Sequence, residues 1–200
     1  MLRSIAIFAC HANNDDEKCS ITEFHCFDSE VTLPFQILTL DSIGPKEPRS
    51  LKGHMHCLCI VDNCIRWPAV YPLKNLGVKY VYDSLLQLFM QFGIPTIITI
   101  RNASNFVNRL RQEFETRLVC SSRLNSLSHS EASGVVEPWN ASLKSALHHV
   151  IPQTSRACHR VIPNIVSAYR EVPNAASGVP QFMLVYGRIP KDPLSVLKET

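Results

Sequence analysis

Acidic, thiol and imidazole side chains are spread along this 200-residue chain, and their spacing limits the chemistry open to them. Eight cysteines stand at 10, 19, 26, 57, 59, 64, 120 and 158, and no two form a CxxC pair. Cys10-His11, Cys19 and His25-Cys26 gather soft ligands near the N-terminus, but their spacing fits no standard zinc site. Disulfide frameworks belong to small secreted domains, so the expectation is buried thiols in a reduced compartment. Cys57 and Cys59 share one face of a predicted strand, where cysteine behaves as a small hydrophobe. His54 and His56 alternate with Met55 and Cys57 and are expected on that strand's outer face. Asp41 closes an apolar run, and read alone it is a strand-end aspartate capping a turn. Asp62 reads as the anchor of the turn between the strands His54–Asp62 and Trp67–Pro72, and a lone Lys144 as a solvated lysine. Asn102-Ala103-Ser104 and Asn140-Ala141-Ser142 are formal glycosylation sequons, without meaning in a nuclear or cytosolic protein.

Elements must hold these residues in place. With 46% hydrophobic residues the chain can bury a core of ordinary size, and its net charge of +3 permits a nucleic-acid partner without arguing for one. The longest apolar runs, such as Leu58–Val61 and Pro95–Ile100, are strand-length and far short of a membrane span. Arg3 followed by Ile5–Cys10 hints at a signal peptide but lacks a clear small-residue cleavage site. Residues 11–32 set Asp15, Asp16, Glu17, Glu23, Asp28 and Glu30 against Lys18, with no sustained periodicity, and are expected to be an irregular arm. From Pro34 the pattern changes. Phe35–Asp41, His54–Asp62 and Trp67–Pro72 read as strands rich in β-branched and aromatic residues, separated by a basic loop at Lys46–Gly53 and a short turn. Leu76, Val78, Val81, Leu85, Leu88, Phe89 and Phe92 recur at helical steps, so Leu76–Phe92 is an amphipathic helix closed by Gly93 and Pro95. Thr96–Ile100 is a central strand, followed by a helix over Asn105–Arg117 and a short strand near Val119–Arg123. Helices near Glu137–Val150 and Arg156–Tyr169 complete an α/β fold with a mixed sheet.

A family resemblance now comes into view, carried by motifs in a fixed order. They are Leu40-Asp41-Ser42-Ile43-Gly44-Pro45; Ile60-Val61-Asp62 leading to Trp67-Pro68-Ala69-Val70-Tyr71-Pro72; Phe92-Gly93-Ile94-Pro95; His129-Ser130-Glu131-Ala132-Ser133-Gly134-Val135-Val136-Glu137; Gly178-Val179-Pro180; and Tyr186-Gly187-Arg188-Ile189-Pro190. Together they resemble the integrase catalytic core of Ty3/gypsy-type and retroviral elements, over Phe35 to Pro193. The resemblance implies an RNase H-like fold, a five-stranded mixed sheet flanked by helices. It implies a domain over 34–193, preceded by an N-terminal arm (1–33) and followed by a tail (194–200). The keeping of the apolar frame while site carboxylates erode is similar to host-domesticated gypsy integrase-like proteins and to vertebrate proteins that join a NYN nuclease domain to a retroviral integrase domain.

Integrases join DNA ends by metal-assisted phosphoryl transfer, with two cations about 3.5–4 Å apart activating the attacking and leaving oxygens. Mg²⁺ demands near-octahedral oxygen ligation, which the family supplies through two aspartates and a glutamate. On this resemblance Asp41 matches the first aspartate and Glu137 the glutamate, the two catalytic and metal-binding positions. The second aspartate is replaced. The family reads S-D-x-G-x-x-F, whereas this chain reads Ile100-Arg101-Asn102-Ala103-Ser104-Asn105-Phe106, with Arg101 in the aspartate's place and Phe106 fixing the alignment. A permanent guanidinium there repels divalent cations and can pair with the remaining carboxylates. Glu131 and Ser133 also depart from the family's glutamine and asparagine, and Pro138 follows Glu137, tolerable only in a helix's first turn. The expectation is a degenerate, inactive core that needs no cofactor, with Mg²⁺ or Mn²⁺ relevant only to a residual metal-dependent strand transferase or nuclease. The resemblance further implies a nuclear or cytoplasmic protein with DNA or RNA partners, contacted by Asn140 and Lys144, a homodimer, and no membrane association.

Overall fold

The computed structural model describes residues 5–10, 19–24, 33–45, 47–101, 123–127, 141–143, 145–146, 148–149, 157–173, 178–188 and 190. Strands β1 (Ile5–Cys10) and β2 (Cys19–Phe24) pair antiparallel in a sheet of their own. The second sheet runs in the order β5-β4-β3-β6-β7, from β3 (Ile37–Ile43), β4 (His56–Asp62), β5 (Pro68–Leu73), β6 (Ile97–Arg101) and β7 (Arg123–Leu127). The three strands β3, β4 and β5 are successive antiparallel neighbours, whereas β3–β6 and β6–β7 are parallel. This is the mixed α/β sheet expected from the sequence, with the first core strand at its centre.

Helix α1 (Val78–Phe92) forms where the apolar spacing placed it. Asn75 Oδ1 accepts the Gly77 N–H at 2.8 Å ahead of the helix, and Gly93, at φ 88, donates its N–H back to the Phe89 carbonyl. Glycine adopts that left-handed conformation without the steric cost a Cβ would bring. Val78, Val81, Tyr82, Leu85, Leu88 and Phe89 bury one stripe of α1 against Leu38, Leu40, Leu58, Ile60 and Ile98. Two further helices, α2 (Cys158–Glu171) and α3 (Gln181–Tyr186), and helical residues 141–143, 145–146 and 148–149 follow. Ile162 and Val166 of α2 and Leu143 bury against Ile43, Cys57 and Cys59. Because side chains alternate along a strand, β3 and β4 feed two cores, one on each face of the sheet. No helix among the described residues is long and apolar enough to cross a membrane.

Several expectations shift. The first strand starts at Ile37 rather than Phe35, because Phe35 sits at φ 61, outside extended backbone, with its ring stacked on Phe92 at 4.1 Å. The last described strand is Arg123–Leu127, set by its parallel register to β6 from Ile97↔Arg123 to Arg101↔Leu127, whereas 119–122 of the strand expected near Val119–Arg123 lie outside the described residues. Within 11–32, which was expected to be irregular, Cys19–Phe24 is a strand, its partner being the apolar run Ile5–Cys10. Cys57 and Cys59 are buried free thiols, whereas Cys64 is disulfide-bonded, a correction to the expectation of thiols throughout. The helix expected over Asn105–Arg117 lies outside the described residues.

Candidate functional site

Asp41 stands near the C-terminal end of the central strand, half-buried, opposite Cys59 of β4. One carboxylate oxygen, Oδ1, accepts the N–H of Ser42 at 2.7 Å. By alternation Asp41 belongs to the face that carries Thr39, Ile43, Cys57 and Cys59, over which Leu143 and α2 pack. The strand then leaves the sheet through Gly44, where φ is 132 and an added Cβ would lie 2.7 Å from the Met55 carbonyl oxygen and 2.9 Å from His56 Nδ1. Glycine is required here on both counts.

Strand β6 lies parallel beside β3, with Leu38↔Ile98, Thr39↔Thr99 and Leu40↔Ile100 as partners. Arg101 ends β6 one step beyond the last pair, so the backbone register sets its position alongside that of Asp41. The expectation that Thr96–Ile100 is a central strand matches this parallel pairing of β6 beside β3. Glu137, Asn140 and Lys144 lie outside the described residues, although residues on both sides of Lys144 are helical. Among the described residues no group of three His, Cys, Asp or Glu side chains has the arrangement of a metal site. What the described residues supply here is one half-buried carboxylate, with an arginine one register step beyond the last β3–β6 pair.

Asp62 has a structural role. Its Oδ1 accepts the Phe35 N–H at 2.7 Å, its Oδ2 accepts the Ile65 N–H at 2.7 Å, and the turn closes through Arg66 N–H to the Asp62 carbonyl at 3.1 Å. Burial pushes its carboxyl up to about 6, against the backbone N–H groups of Ile65, Phe35 and Cys64 that favour the anion. Neighbouring Asn63 accepts the Thr39 hydroxyl at 2.8 Å in the interior. The reading of Asp62 as a turn anchor thus matches its contacts.

Two arrangements escaped sequence reasoning because they join residues far apart in the chain. Arg170, near the end of α2, donates through Nε (3.1 Å) and Nη2 (2.6 Å) to the Pro68 carbonyl, with its guanidinium 4.0 Å over the Trp67 ring. His54, expected on a strand's outer face, instead precedes β4 and meets His159 of α2 edge-on, ring centroids 5.8 Å apart. The Tyr186-Gly187-Arg188 motif is explained by packing. Tyr186 meets Trp67 and Phe182, Gly187 caps α3 at φ 66, and Arg188 lies over Phe182 at 5.1 Å.

Comparisons with known proteins agree with this geometry, although no family model matches the chain. It is 28% identical over 140 residues to the Gag-Pol polyprotein of Feline leukemia virus, covering 69% of this chain and 8% of the polyprotein. It is 26% identical over 157 residues to the Gag-Pol polyprotein of Walleye dermal sarcoma virus, covering 78% and 9%. The chain therefore spans less than a tenth of either relative. Among solved structures, the HTLV-2 integrase catalytic core domain in complex with magnesium superposes with a TM-score of 0.58 at 19% identity, covering 76% of this chain and 97% of that one. A chain of the simian T-cell lymphotropic virus intasome in complex with PP2A regulatory subunit B56 gamma gives 0.60 at 18% identity, covering 82% of this chain and 60% of that one. The strand order, register and superposition together show that the chain has the RNase H-like fold of the integrase catalytic cores it is similar to.

Proposed function

We propose that this domain is a degenerate integrase core, of the host-domesticated kind, that has kept the scaffold and given up metal-assisted strand transfer. It acts by binding nucleic acid or a protein partner. The observation that carries the reading is Arg101 at the register position beside Asp41. A guanidinium at that position replaces a ligand charge with its opposite, so the field that would gather divalent cations is cancelled where it is needed. Nucleic-acid binding and a homodimer are supported by likeness to a core solved in dimeric form and to a component of an intasome. Asn140 and Lys144 are the proposed contacts to nucleic acid.

Calorimetric titration with Mn²⁺ tests this. The wild type should give no binding heat, Arg101→Asp should bind Mn²⁺ weakly, and adding Asp41→Ala to Arg101→Asp should abolish that binding. The competing reading is a residual strand transferase using Asp41 and Glu137. Mg²⁺- or Mn²⁺-dependent DNA cleavage by the wild type, abolished by Asp41→Ala, would establish it and overturn ours.

A further inference from the structure

Helix α2 begins weakly. Ala157 gives no side-chain cap and the first turn holds no acidic residue. Pro163 lies inside the helix and has no N–H, so the His159 carbonyl lacks its partner four residues on. The Arg160 N–H turns back to the Ala157 carbonyl at 2.8 Å, a tighter bond than the α-helical one.

Against this turn stands a rigidly mounted imidazole. The His54 N–H donates to Ser50 Oγ at 3.0 Å and the His54 carbonyl accepts the Ser50 N–H at 3.1 Å, which fixes the Ser50–His54 turn. Its ring meets His159 edge-on, and Nδ1 of each ring is buried without a hydrogen-bond partner, as is Nδ1 of His56. The groups acting on His54 are all basic: His159 from α2, Lys52 from the turn and Lys74 just beyond β5, while exposed Arg160 follows His159. Burial first, then these neighbours, hold His54 below its ordinary 6.5, and among the described residues no carboxylate offsets them.

We propose that the His54–His159 contact is a protonation-sensitive latch, holding the Ser50–His54 turn against the start of α2 while the His54 ring is neutral and releasing it when that ring takes up a proton. The latch matters because α2 carries Ile162 and Val166 onto the sheet face of Asp41. The sign follows from linkage. A base held below its unfolded value leaves the closed state fully stable above 6.5, and that stability is lost as pH falls from 6.5 towards the lower, folded value.

Amide hydrogen exchange of the full chain, corrected for the intrinsic pH dependence of exchange, reads this locally. From about pH 8 to about pH 5, protection in the Ser50–His54 turn and the first turn of α2 should fall while α1 stays protected. His54→Phe and His159→Phe keep a ring contact and remove unpartnered nitrogens, so both should stay protected at either pH. Equal wild-type protection at both pH values, or the same loss in both variants, would overturn the latch. Should a variant not fold, the wild-type imidazole resonances decide. Loss of protection that tracks the His54 ring titration supports the latch, and loss without movement of that resonance refutes it.

Discussion

Asp62 shows how burial and hydrogen bonding compete at one carboxylate. It is 1% exposed, accepts backbone N–H groups on both oxygens, and still titrates at about 6 because desolvation outweighs those bonds. Its unfolded value is 3.8, so between 3.8 and about 6 the folded chain holds a proton that the unfolded chain releases. Stability from this group is present below 3.8 and falls as pH rises through about 6, by roughly 3 kcal/mol at 1.36 kcal/mol per unit. Asp62→Asn cannot titrate and leaves one backbone donor without an acceptor, a loss of about 1–3 kcal/mol. Urea melts should show the wild type's advantage over Asp62→Asn shrinking between pH 4 and pH 6.5, and a constant difference would refute the assignment. Such residues differ in how far the sequence reveals them. The turn role of Asp62 and the replacement at Arg101 are legible, since Trp67 and Phe106 fix their alignment. The His54–His159 contact is not, because no local spacing connects a loop before β4 to the first turn of α2.

At the scale of elements, periodicity reads helix α1 and strands β4 to β6 to within two residues at each end. It fails where the decision is tertiary. Positive φ at Phe35 delays β3, and Arg123–Leu127 is held as a strand by its parallel pairing to β6. The Ile5–Cys10 run finds its partner in a polar stretch that alone shows no strand pattern. The docking of α2 is equally non-local. Strand β5 is a sheet edge that opens with Pro68, which has no N–H to give but whose carbonyl Arg170 engages twice. Burial lowers the Arg170 pKa to about 10, so this guanidinium is held at a desolvation cost that two donated bonds and the Trp67 stack offset. Arg170→Leu should destabilise the domain by about 1–3 kcal/mol. Arg170→Lys should lose nearly as much, since an ammonium cannot both stack and donate in a fork. A wild-type denaturation midpoint in Arg170→Lys would show that charge alone holds α2 to β5.

At the largest scale, the described core is organised by the two faces of the five-stranded sheet. Leu38, Leu40, Leu58 and Ile60 face α1, whereas Ile43, Cys57 and Cys59 of the same strands face α2 and Leu143. Neither core can be dismantled while β3 and β4 stay native on the other side, because consecutive residues serve opposite faces. Leu85, 0% exposed on the α1 side, and Ile162, 1% exposed on the α2 side, probe this. Truncation of either to alanine should cost about 2–5 kcal/mol through lost transfer energy and the cavity left behind. If the sheet couples the faces, both variants unfold in one transition that far-ultraviolet and near-ultraviolet dichroism report at the same midpoint. An Ile162→Ala variant whose near-ultraviolet signal melts first, with the far-ultraviolet signal of α1 and the sheet intact, would show instead that the α2 face opens by itself. That result would strengthen the latch at His54 and His159, since its release needs a helix able to move over a standing sheet.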